Sequence, residues 1–127
     1  MSHKIWEING LSLELDLQDA DTSERYEKAF DNMKADENSL PKDGKLSDRI
    51  RAYCKIFRDL FDSLFGEGAA EKIFAGVPDN ADRYDEIYFD FLDFVAKQKN
   101  DIIQRKAERF AKYAPNRQQR RAANKKK

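Results

Sequence analysis

Hydrophobic positions change their period along this chain, and each period predicts an element. From Leu11 to Leu17 the leucines alternate with Ser12, Glu14 and Asp16, a period of two, and Trp6 and Ile8 precede them across Asn9-Gly10. An Asn-Gly pair suits the two positive-φ positions of a tight hairpin turn. Residues 4–17 therefore read as a β-hairpin with Ile8 opposite Leu11 and Trp6 opposite Leu13. Its tryptophan, isoleucine and leucines share one face, and Glu7, Ser12 and Glu14 the other. A lone hairpin is marginal in water, so that face must pack on helices or on another chain.

Beyond residue 20 the period lengthens. Tyr26, Ala29, Phe30 and Met33 recur at helical spacing, predicting a helix over 22–35 with Asp21 as its cap and Glu24 as the capping-box partner. Asp36 to Lys45 reads as a loop. A second helix over 46–65 carries Leu46, Ile50, Tyr53, Cys54, Phe57, Leu60, Phe61 and Leu64 on one stripe, and Gly66 and Gly68 end it. A short helix is expected over 69–75 and a long one over 81–112. The long one has Tyr84, Ile87, Tyr88, Phe91, Val95 and Ile102 as its stripe, and the half after Lys97 is far more polar. The expected fold is mainly α, of the α+β kind: one domain over 1–114, a hairpin followed by about four helices. Residues 115–127 form a basic C-terminal tail expected to be disordered when alone.

Composition adds two things. Apolar residues make up 40% and charged residues 38% of 127, a polar balance offset by nine Phe, five Tyr and one Trp, which bury much area each. More aromatic positions are present than a core this small comfortably encloses. Tyr84, Tyr88, Phe91 and Trp6 are expected to pack. Phe65, Phe74, Phe89 and Leu92 are the candidates for exposure and partner binding. The net charge is zero but unevenly placed: 115–127 holds six basic residues and no acidic one, leaving the body at −6. Arg117, Arg120 and Arg121 of the tail are further candidates for partner contact.

Catalytic chemistry is poorly provided for. His3 and Cys54 are the only His and Cys, too few for a zinc site, and Cys54 sits on an apolar stripe as a buried thiol would. Asp82, Glu86, Asp90 and Asp93 lie opposite the apolar stripe of the last helix and read as a solvated acidic face. Gly66-Glu67-Gly68 matches neither the P-loop nor the dinucleotide fingerprint. No cofactor or metal is expected, and the chain points to binding rather than catalysis. No apolar run approaches bilayer length, no secretory h-region opens the chain, and the lone cysteine fits a reducing compartment, so a cytoplasmic location is expected.

Three features together carry a resemblance: the Asn-Gly hairpin at 4–17, the LFDSLFGEGAAEKIFAG segment at 60–76, and the Asn-Arg-x-x-Arg-Arg tail at 116–121. In this layout the chain resembles the short form of the tail assembly chaperones of long-tailed phages and prophages of Gram-positive bacteria. The resemblance implies a non-enzymatic protein that coats the tape-measure protein, the long helical ruler of the tail. Such a protein keeps the ruler soluble and helps recruit tail-tube subunits. It also implies, for many members, a second and longer form made by ribosomal frameshifting. Weak or moderate self-association is expected from the hairpin's free edge and the overlong last helix. The alternative is a small nucleic-acid-binding regulator working through the basic tail. The absence of interleaved aromatics and the acidic body weigh against nucleic acid as the partner.

Overall fold

The computed structural model describes residues 3–113, and Arg117, Arg120 and Arg121 lie outside the described residues. A two-stranded antiparallel hairpin, β1 (Ile5–Ile8) and β2 (Leu11–Glu14), is followed by α1 (Ala20–Asn38), α2 (Leu46–Phe65), α3 (Ala69–Ile73) and α4 (Ala81–Tyr113). The hairpin has the expected register, with Trp6 opposite Leu13 and Ile8 opposite Leu11. Its turn residues Asn9 and Gly10 both have positive φ, at 48° and 76°. The Asn9 side chain also donates from Nδ2 to the Ile73 carbonyl at 2.6 Å, which ties the turn to the end of α3.

The central helix α2 packs against α1, α3 and α4, and β1 lies on α4. Cys54, Phe57, Leu60, Phe61 and Leu64 are buried along it, as its helical stripe requires. Leu46 departs from that stripe: it is 70% exposed, because it lies one turn ahead of Ile50, the first residue of α2 that reaches the core. Gly66 accepts the left-handed φ of 105° that ends α2, and its amide donates to the Asp62 carbonyl at 2.9 Å.

Three helix ends differ from expectation. The cap of α1 is Asp19, not Asp21: its carboxylate accepts from the Thr22 amide at 3.1 Å and the Thr22 hydroxyl at 2.9 Å. At its far end α1 continues through Asp36 and Glu37, read above as loop. No glycine or proline intervenes before Pro41, whose ring disfavours helix at the residue before it. The short α3 stops at Ile73, with Phe74 as its cap.

The core is aromatic. Trp6 stacks on Phe61 and Phe65 at centroid distances of 5.4 and 5.9 Å and meets the edge of Phe91 at 5.2 Å. Its indole N–H donates to Asp90 at 2.8 Å, so one residue of the Asp82, Glu86, Asp90, Asp93 set on α4 also orients the hairpin. Phe74, expected to be exposed, is buried instead. Gly68 and Gly76 fold α3 back onto the body, and the Phe74 ring lies parallel to Tyr84 at 4.0 Å and against Phe61 at 5.7 Å.

Candidate partner-binding site

The ends of the hairpin are tied to α4 by Gln98. Gln98 is buried, and every hydrogen bond of its amide group goes to backbone. Its Nε2 donates to the carbonyls of His3 at 2.9 Å and Leu15 at 2.8 Å, and its Oε1 accepts from the Leu17 amide at 2.8 Å. A contact between His3 Nδ1 and the Asp101 carboxylate lies one turn further along. These contacts fix where Leu17 and the start of α1 stand relative to α4. The Ser23 hydroxyl donates to the Leu17 carbonyl and holds the first turn of α1 in place.

Beyond that lock, α4 runs on past the body, and an open cleft of about 780 Å³ lies between it and the first turns of α1. Leu17, Tyr26, Ile102 and Ile103 line it, together with the charged side chains of Glu27, Lys99 and Lys106. Tyr26 is propped against Phe30 at 4.7 Å, and the Lys99 ammonium sits 5.6 Å from the Tyr26 ring centroid, a cation–π contact that holds the lysine stem along the cleft. Outside the cleft, α4 also exposes Phe89 at 58%, Phe110 at 70% and Tyr113 at 71%.

Of the aromatic and apolar candidates named from sequence, Phe89 alone is exposed. Phe65 is half-buried between Trp6 and Phe91, and Leu92 is half-buried against the core. The residues that build the cleft were passed over, because Tyr26 and Ile102 read simply as members of core stripes. The signal available was geometric: a helix predicted to outrun the domain must leave its apolar residues uncovered.

The titratable groups that shift do so mostly toward their neutral forms. Burial pushes the phenols of Tyr26, Tyr53, Tyr84 and Tyr88 up from their ordinary value, and a hydrogen bond to Asp85 adds to this at Tyr53. Burial likewise pushes the Cys54 thiol up, which keeps it protonated and unreactive. A second polar cluster, in which Arg58 donates to Asp79 at 2.8 Å and to Tyr84 at 3.1 Å, joins α2 to the start of α4. Among the described residues no group of three or more His, Cys, Asp or Glu could hold a metal ion, and no helix is long and apolar enough to cross a membrane.

Comparison with known proteins places one match on this frame: a family model, described as a family of unknown function (DUF6673), covers residues 9–124. No curated protein and no solved structure matches the chain.

Proposed function

The chain belongs to the DUF6673 family, and from that premise we propose that it is a cytoplasmic, non-catalytic binding protein that captures an apolar-faced helix of a protein partner. The open cleft between α1 and the overhang of α4 carries this reading. It presents Leu17, Tyr26 and Ile102 to solvent beside two lysines and one glutamate, a surface suited to an amphipathic helix whose flanks are on balance acidic. The resemblance to tail assembly chaperones gives that helix an owner, the tape-measure protein, and gives the binding a purpose, keeping a long aggregation-prone helix soluble. Tail-tube subunits would be recruited to the same complex.

The test is co-expression with the long helical protein encoded within a few genes downstream. The expected outcome is a soluble complex that co-purifies, with capture falling at least about tenfold in Tyr26→Ser and Ile102→Asp, which place polar groups in the cleft. Metabolic genes on both sides of this one, or full capture by both variants when circular dichroism shows them folded, would sink the reading.

A further inference from the structure

The exposed edge of α4 from Phe89 to Tyr113 carries a further pattern, which meets the cleft at Lys99, Ile103 and Lys106 and the core at Leu92. Phe89, Leu92, Ala96, Ile103, Phe110 and Tyr113 recur at alternating spacings of three and four, with Lys99 and Lys106 filling the two remaining steps. Such spacing is that of a coiled-coil seam, here about three and a half heptads long, and lysines inside a seam select register at some cost in stability. Phe89, Ile103, Phe110 and Tyr113 are the large apolar residues exposed along it, and Leu92 is half-buried at its edge.

Charge says what covers this face. Over 81–96 the helix has five acidic residues and one basic; over 97–113 it has two acidic and six basic. The helix macrodipole accounts for such a bias only in the first and last turns. A separation extending over both halves of a 33-residue helix makes it complementary to itself in the antiparallel direction. We propose that α4 is a homodimerisation element: two copies pair their α4 helices antiparallel along the 89–113 seam. The register that brings Phe89 opposite the partner's Tyr113 and Leu92 opposite the partner's Phe110 matches apolar with apolar at both ends. The same register sets Lys106 opposite the small Ala96, where its stem has room, and lays Asp90 and Asp93 along the partner's basic stretch.

This goes beyond capture of a helical partner and is tested without one. Sedimentation of the full chain is expected to show a concentration-dependent dimer. Its dissociation constant rises about tenfold or more in Phe110→Ser and in Phe89→Ser, both of which stay folded because the residues they replace are exposed, and rises with added salt. Direction is read by oxidation of mixed single-cysteine variants: Phe89→Cys cross-links with Tyr113→Cys, and neither cross-links efficiently with itself. Buried Cys54 does not compete. A strict monomer at all concentrations, a dimer indifferent to both serine variants, or cross-linking of each cysteine variant with itself overturns the proposal. So does a monomer that binds phosphatidylglycerol vesicles through 97–113.

Discussion

Gln98 shows how much one side chain can hold. It sits in the polar run Lys97-Gln98-Lys99-Asn100, where its neighbours are all exposed, yet it is 2% exposed and satisfies three backbone groups of the hairpin and its exit. Replacing it with an apolar residue of similar size leaves those groups buried with no partner, which costs on the order of 1–3 kcal/mol for each one that water fails to reach. Gln98→Met should therefore lower unfolding free energy by about 3 kcal/mol in urea titration, whereas Asn100→Ala on the exposed side should stay within about 0.5 kcal/mol. Sequence gave no hint of this, because the partners of Gln98 are main-chain atoms more than eighty residues earlier.

Among elements, those governed by local rules were legible and those governed by distant contacts were not. The bounds of α2 and the register of the hairpin follow from periodicity and from Asn9-Gly10. The start of α1 was read from Asp21 alone; the helix begins two residues earlier, capped by Asp19 through the amide and hydroxyl of Thr22. Phe74 was misread because a five-residue helix bounded by glycines looks peripheral in sequence, and only the Tyr84 ring beneath it makes it core. The candidate site was half legible: the overlong last helix was foreseen and its cleft was not. One consequence concerns α4 directly. Every described residue from Ile103 onward is exposed, so a chain cut after Ile103 should melt within a few degrees of the full chain, while losing the self-association that the seam residues support.

For the whole molecule, the buried aromatics set a limit at high pH. The folded pKa values of Tyr26, Tyr53, Tyr84 and Tyr88 are raised above the ordinary 10.0. The stability they contribute is complete below that value and is lost as pH rises through the folded values, since the unfolded phenols ionise first. Urea midpoints should hold level from pH 7 to about 9.5 and fall steeply above about 10, with phenolate absorbance of the buried tyrosines rising along with unfolding. The lock at Gln98 has a different consequence, in time rather than in pH. A ribosome makes the hairpin first and the middle of α4 long after it, and the bonds that join them span 81 to 95 residues. Local pairing of α1 with α2 closes a short loop and can proceed at once, but the hairpin must wait for the slow closure of a loop most of the chain long. During that interval its leucine face and Trp6 lack the cover that α4 supplies through Phe91 and Asp90, and the nascent protein passes through a stage in which it resembles the sticky clients of a chaperone.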